Sequence, residues 1–219
     1  YVQIEGHGLD KITHAYPYGE APLAIKTLNT NLDLNITEFV TVNFDAVKDI
    51  IDNIGGISMN ITSEEVSHIP GISKAGTYNL TGEQALAYAR IRHATGGDYK
   101  RTERMRDVLT AVANKVKTFN ISQLNQFVDF VLPKIYTNIT AADIFSLMPS
   151  ATSFKITDSI GWPYETKGIT LDRWYGVPIT LESNVTRLHQ EVFEESDYTP
   201  SDTVKQISDS IAQKTGYSK

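Results

Sequence analysis

The chain contains no cysteine. Disulfides, thiolate nucleophiles and cysteine-ligated zinc are excluded together. Exported bacterial proteins, in which stray thiols oxidise, have this feature, and so do many cytosolic ones. No apolar run approaches the roughly 18 residues that a membrane-spanning helix needs. No signal peptide is visible either, since Tyr1 opens straight into strand-like sequence. The expectation is a soluble piece from which a leader or anchor has been cut away upstream. Histidine is sparse, at five. His7 and His14 can meet, but no third ligand is evident beside them. No G-x-S-x-G, H-E-x-x-H or P-loop run occurs, which removes the commonest hydrolase, zinc-protease and nucleotide-binding readings. Internal repeats and low-complexity tracts are missing as well.

What is present is ordinary in bulk and uneven in detail. The 219 residues suffice for one large domain, with 41% hydrophobic and 21% charged residues. The net charge is −6, from 20 basic and 26 acidic residues. Between Tyr88 and Arg106, however, Arg90, Arg92, Lys100, Arg101, Arg104 and Arg106 face only Asp98 and Glu103. A basic island on an acidic body fits a local anion site and argues against a general nucleic-acid surface. Asn-x-Ser/Thr triplets occur at Asn35, Asn60, Asn79, Asn120, Asn138 and Asn184. They read either as glycosylation acceptors or as turn and cap residues, whose side chains bond nearby N–H groups.

Periodicity sets the coarse organisation. Tyr1–Ile4 reads as a strand end, followed by a turn at Gly6 and Gly8. Pro22 suits the first turn of a helix running to Leu32. Val40, Val42 and Phe44 alternate as a strand, and Asp45–Ile54 is an amphipathic helix closed by Gly55 and Gly56. Ile57, Met59 and Ile61 form the next strand, which suggests a βαβ-like unit. Residues 62–79 are turn-rich. Thr81 and Gln84 have capping-box spacing for a short helix over Gly82–Ala89. A longer helix is predicted from Asp98 to Lys117, and further ones over Ser122–Val131, Ala141–Met148 and Leu181–Glu194. Phe154 and Ile156 mark a strand, and Gly161–Pro178 reads as a Trp-, Pro- and Tyr-rich loop that either stacks on sugar rings or packs on the core. Asp197–Ser201 reads as a linker, and the helical pattern of Val204, Ile207 and Ile211 as a tail outside the core.

The arginines carry the chemistry. Arg90 and Arg92, two apart, share a side if the chain there is extended. Arg101 and Arg104, three apart, share a helix face. Cations in a first helical turn are disfavoured by about 0.3–1 kcal/mol each. A bound anion reverses that balance, because it gains the dipole, the free N–H groups and bidentate guanidinium donors together. Gly96 and Gly97 allow a close backbone approach. The competing reading is a solvated basic face paired with Asp98, Glu103 and Asp107.

The run Leu80–His93, LTGEQALAYARIRH, followed by Gly97-Asp98, Arg101 and Arg104, resembles the signature of the LytR–CpsA–Psr family. That signature is L-x-G-x-Q-A-L-x-Y-x-R-x-R-H, then G-D and R-x-x-R-Q. Asp10-Lys11-Ile12 with Ala15-Tyr16 and Gly19 is similar to the family's D-K-I-N-x-A-Y-x-x-G segment. Val42-Asn43-Phe44 and Gly55-Gly56-Ile57 match two further segments, so the resemblance covers residues 1–195. It implies an α/β (α+β) fold with a central mixed β-sheet flanked by helices and a slot for a lipid. Residues 1–195 would form the catalytic domain and 196–219 a linker or tail. The implied activity is a phosphotransferase-type ligation that moves a glycopolymer, such as a teichoic acid or capsular polysaccharide, from a polyprenyl-pyrophosphate carrier to peptidoglycan with Mg²⁺. The implied setting is extracytoplasmic, on the membrane of a Gram-positive-type bacterium through an N-terminal anchor, without nucleic acid.

By resemblance, Arg90, Arg92, Arg101 and Arg104 hold the pyrophosphate and Lys11 assists. Arg90, Arg92 and Asp98 stand as catalytic residues, although Asp98 reads equally as a helix cap. Met105 stands where the family has Gln, which alters one polar substrate contact. The family's opening strands and main Mg²⁺ ligands are expected upstream of Tyr1, and the piece alone is expected to be inactive. A non-catalytic polyprenyl-phosphate-binding or transcriptional-attenuator module is the alternative. The apolar faces of the helices after Asp45 and Asp98 either flank the lipid slot or belong to the core.

Overall fold

A computed structural model describes residues 1–92, 97–150, 153–157 and 159–218, with the side chains of 97 and 98 outside the description. Its strands and α-helices are β1 (Val2–Ile4), β2 (Gly8–Asp10), α1 (Ala15–Leu32), β3 (Val40–Val42), α2 (Phe44–Asn53), β4 (Ile57–Ile61), β5 (Gly76–Leu80), α3 (Gly82–Ala89), α4 (Gly97–Val116), α5 (Ile121–Val131), β6 (Ile135–Thr137), α6 (Ala141–Leu147), β7 (Thr166–Thr170), β8 (Trp174–Pro178), α7 (Leu181–Val192) and α8 (Asp202–Thr215). The class is mixed α/β. Among the described residues the strands form four two-stranded antiparallel sheets, β1–β2, β3–β6, β4–β5 and β7–β8, and not one central mixed sheet. The βαβ reading of β3, α2 and β4 is corrected accordingly: β3 pairs with β6 and β4 with β5, so the two strands flanking α2 are not partners. Two compact units emerge, residues 1–39 with 161–219, and residues 40–160.

The middle unit is built on β4 and β5. Ile57 pairs with Leu80, Met59 with Tyr78 and Ile61 with Gly76. Alternation puts Ile57, Met59 and Ile61 inward, where Ile51 of α2, Ala85 and Tyr88 of α3, and Val108 of α4 meet them. Helix starts follow their caps. The Asn43 side chain accepts from Ala46 N–H, and Thr81 and Gln84 complete the capping box that their spacing predicts. Asn120, one of the six Asn-x-Ser/Thr residues, caps α5 in the same way. The signature glycine, Gly82, packs α3 onto α2. Its N–H donates to Asp52 Oδ1 at 2.7 Å, and a Cβ there would overlap the Lys48 carbonyl. Phe154 and Ile156, predicted as a strand, are exposed in irregular chain.

The terminal unit joins both chain ends. α1 is two helical pieces, because Gly19 and Glu20 have non-helical dihedrals, and Pro22 lies near the start of the second. Residues 166–178, predicted as loop, form the β7–β8 hairpin, with Tyr175 and Val177 buried. The tail reading of 196–219 is also corrected. Val204, Ile207 and Ile211 of α8 are buried with Val2, Ile4, Leu32, Leu181 and Val185, because an amphipathic stripe is stable when its apolar side meets a core. Asn184 is buried, and its Oδ1 accepts from the N–H groups of Tyr164 and Glu165, so its Asn-x-Thr triplet is structural.

A polar knot closes this unit. His189, buried, contacts Glu195 Oε2 through Nδ1 (2.7 Å) and the Leu32 carbonyl through Nε2 (2.8 Å), and its ring stacks on Tyr198 at 3.7 Å between centroids. Next to Leu32, Asp33 has a left-handed backbone, φ 50°. Its carboxylate accepts from Tyr198 OH, Ser201 N–H and Ser201 Oγ–H. Burial pushes the Asp33 carboxyl upward, but the hydrogen bonds from Tyr198 and Ser201 outweigh it and hold it below the ordinary carboxylate range.

Two outcomes are expected. Gly82→Ala should lower the unfolding free energy by about 1–3 kcal/mol, because the clash is with backbone that cannot rotate away; denaturant titration measures it. Asp33→Asn should lower stability at neutral pH by about 1–3 kcal/mol through the partners it leaves poorly satisfied. A carboxylate held below its unfolded value contributes fully above that value and loses the contribution as pH falls through the folded one. Thermal midpoints of the variant should therefore converge on those of the wild type as pH drops below about 4.

Candidate functional site

The signature run ends in the arginines. Arg90 is the C-terminal cap of α3, with φ −94° and ψ −1°, and its N–H still donates to the carbonyls of Leu86 and Ala87. The extended geometry expected for Arg90–Arg92 therefore does not start at Arg90. The two side chains nevertheless both reach outward, because Ile91 between them is 4% exposed and anchors the segment from inside. The Arg90 guanidinium lies 5.1 Å from the ring centroid of Phe44, the first residue of α2. That cation–π contact gives an exposed arginine a preferred position.

Arg101 and Arg104 lie in the first two turns of α4 and differ in environment. Arg101 is half-buried, whereas Arg104 is 5% exposed. The Nε–H of Arg104 donates to Glu65 Oε1 at 2.7 Å, and Nη1 donates to the Ile91 carbonyl at 3.4 Å. Glu65 is equally enclosed and accepts from Thr62 N–H through Oε2 at 3.0 Å. Burial pushes the Glu65 carboxyl upward; the Thr62 N–H and the Arg104 guanidinium overcome this and leave it below its ordinary value. The Arg104 guanidinium also faces the Tyr88 ring, 6.0 Å from its centroid. Tyr88 OH donates to Asp107 at 3.3 Å. Burial first, and then the charges of Glu65 and Asp107, raise the Tyr88 phenol, so it remains a neutral donor.

The helix face that Arg101 and Arg104 were expected to share thus carries an inward-facing Arg104 and a half-buried Arg101. Glu65 was not visible as a site residue in the sequence, because it lies 39 residues from Arg104 in a turn-rich stretch. Arg106 leaves the cluster, with its Nε–H donating to Ser159 Oγ at 3.1 Å, and Met105 is exposed. The side chain of Asp98 lies outside the described residues. Lys11 belongs to the terminal unit, where its ammonium is 5.6 Å from the centroid of the Tyr175 ring.

Beside Lys11, Asp10 gathers His14 Nδ1 at 2.9 Å, Tyr18 OH at 2.8 Å and the Lys11 N–H at 2.7 Å. Burial pushes the Asp10 carboxyl upward, but these hydrogen bonds prevail and bring it down to about 2. His7 stacks on Tyr18 with centroids 4.0 Å apart. Among the described residues, no group of three or more His, Asp or Glu side chains could hold a metal ion. Of the apolar helix faces read as slot or core, Ile51 of α2, its C-cap Ile54 and Val108 of α4 belong to the core. Val40, Val42 and Phe44 remain exposed, as does Leu109 on the outer side of α4. No described helix is long and apolar enough to cross a membrane.

The chain is 36% identical over 182 residues to the polyisoprenyl-teichoic acid–peptidoglycan teichoic acid transferase TagT of Bacillus subtilis, covering 77% of this chain and 56% of that protein. It spans between about half and two thirds of the length of the relatives it matches. A crystal structure from Enterococcus faecalis, described as a transcriptional regulator, superposes with a TM-score of 0.79 at 29% identity, over 99% of this chain and 81% of that one. A structure of TagT bound to LI-WTA superposes with a TM-score of 0.68 at 26% identity, over 99% and 75%. The pattern of the LytR_cpsA_psr family runs through residues 1–177, and this chain belongs to that family.

Proposed function

We propose that this chain carries the arginine-bearing part of an enzyme that transfers a glycopolymer from a polyprenyl-pyrophosphate carrier to peptidoglycan. The observation that carries the reading is the pair of exposed arginines, Arg90 and Arg92, set on either side of a buried Ile91. The TagT relative, named as a teichoic acid transferase to peptidoglycan, supports the reaction class.

In the proposed reaction, an acceptor hydroxyl of peptidoglycan attacks the glycan-bearing phosphorus. A new P–O bond forms, the bridging P–O bond to the carrier breaks, and polyprenyl phosphate leaves while the hydroxyl proton passes to a base. Negative charge builds on the phosphoryl oxygens and on the leaving bridge oxygen. Phosphoryl transfer needs positioning and charge neutralisation more than covalent help, and fixed guanidinium donors supply both. Arg90, Arg92 and Arg101 are the groups proposed to meet the pyrophosphate. The exposed Val40, Val42 and Phe44 give a prenyl chain apolar surface within the same unit. Mg²⁺ is part of the proposal as the cofactor that the resemblance implies. The described residues do not assemble a ligand set for it, so no step is derived through it. The enzyme is proposed to work at the outer face of the membrane of a Gram-positive-type cell.

Arg90→Ala and Arg92→Ala should each weaken binding of a polyprenyl pyrophosphate by about 1.5–3 kcal/mol, the value of one charge-assisted partner. Calorimetric titration reads this, and unchanged affinity removes that residue from the anion site. Arg106→Ala, whose side chain is turned to Ser159, should bind like the wild type. Release of polyprenyl phosphate by the full-length protein, with peptidoglycan as acceptor, should depend on Mg²⁺ and stop with EDTA. Binding without any turnover would favour a carrier over a transferase.

A further inference from the structure

Glu65 and Arg104 form a buried ion pair in the middle unit. Both are about 5% exposed. Two charges taken out of water recover little net stability from each other, and apolar replacements of similar shape are often as stable. Glu65 also has the wrong sign for an anionic ligand. A carboxylate near a pyrophosphate site repels the ligand, so on charge alone its removal should tighten binding.

The hydrogen bonds give the pair another role. Glu65 is fixed by its own turn: its N–H donates to the Thr62 carbonyl at 3.1 Å, and its Oε2 accepts from Thr62 N–H. That turn follows directly on β4, in the unit's core. From this base, Glu65 Oε1 takes the Nε–H of Arg104 and so sets the plane of the guanidinium. The same guanidinium then donates through Nη1 to the carbonyl of Ile91. The Ile91 N–H is held by the Tyr88 carbonyl at 3.2 Å, and its side chain is buried. The two peptide planes that join Arg90 to Arg92 are therefore each tied once, and one of the ties runs through Arg104 to Glu65.

We propose that Glu65 is a positioning residue that acts through Arg104 to hold the Arg90–Arg92 segment in the geometry that binds pyrophosphate. The proposal rests on the pyrophosphate reading of the arginines. Arg104 acts here as a strut behind the two exposed arginines, and Glu65 is what aims it.

The two roles of Glu65 predict opposite signs. Affinity for inorganic pyrophosphate and for farnesyl pyrophosphate is measured by calorimetry at a temperature where near-UV circular dichroism shows every protein fully folded. Glu65→Gln keeps the shape and an acceptor oxygen but removes the charge that orients Arg104. It is expected to bind both ligands at least about tenfold more weakly, since small misplacements of binding groups are costly. A purely structural role would lower the thermal midpoint and leave the affinity of the folded protein unchanged. A purely electrostatic one would raise the affinity. Either result overturns the proposal. If Glu65→Gln does not fold, Glu65→Asp takes its place. It keeps the charge and withdraws it by one methylene, and it should also bind more weakly; equal affinity overturns the proposal. Wild-type protein that binds neither ligand overturns the pyrophosphate reading itself, whereas wild-type binding with unaltered variants overturns only the role of Glu65.

Discussion

The buried ion pair of Glu65 and Arg104 is the constraint around which the arginine region is arranged. Arg104 belongs to α4, Glu65 to the turn after β4, and Ile91, whose carbonyl Arg104 also meets, to the segment after α3. One guanidinium therefore ties three parts of the chain that are distant in sequence. Its planar fork suits this, because donors at fixed angles set direction as well as distance. A lysine in that place would offer a point charge and leave the planes free to rotate. The exposed arginines inherit their placement from this enclosed one, whose own donors are turned to Glu65 and the Ile91 carbonyl.

The signature run combines two kinds of residue. Leu80, Gly82, Ala85, Tyr88 and Ala89 are buried, and they wedge α3 between α2 and the β4–β5 pair. Arg90 and Arg92 follow on the surface. The glycine in this run is set by the Lys48 carbonyl at its Cα, without any phosphate being needed to explain it. Most of the motif is thus a packing device, and the chemistry occupies its last few positions.

This division explains which features were legible in the sequence. The helix over 82–89, its capping box, the amphipathic α2 and the alternating β4 depend on neighbours three or four residues away, or on every second residue. Such signals survive without any structure. The inward turn of Arg104 depends on Glu65, far upstream in a stretch whose turn residues conceal any period. The rule that residues three apart share a face holds for 101 and 104, but it does not say whether that face meets solvent or core. The β7–β8 hairpin was hidden by its Trp, Pro and Gly content, although Ile169 and Val177 carry apolar positions there. The stripe of Val204, Ile207 and Ile211 was visible as a helix, while its partners Val2 and Ile4 stand at the opposite end of the chain.

That last pairing constrains how the protein is made. Residues 40–160 find their core among themselves, so a ribosome can release them into a compact state while synthesis continues. The strands β1 and β2 have no such option. Val2 and Ile4 emerge before the middle unit, yet their core is complete only when Val204, Ile207 and Ile211, beyond that unit, have followed. Loop closure across the whole of the middle unit is entropically slow until that unit has collapsed and shortened the distance. Strands made before the middle unit therefore complete their core after it, and for that interval their apolar side chains are exposed to chaperones and proteases.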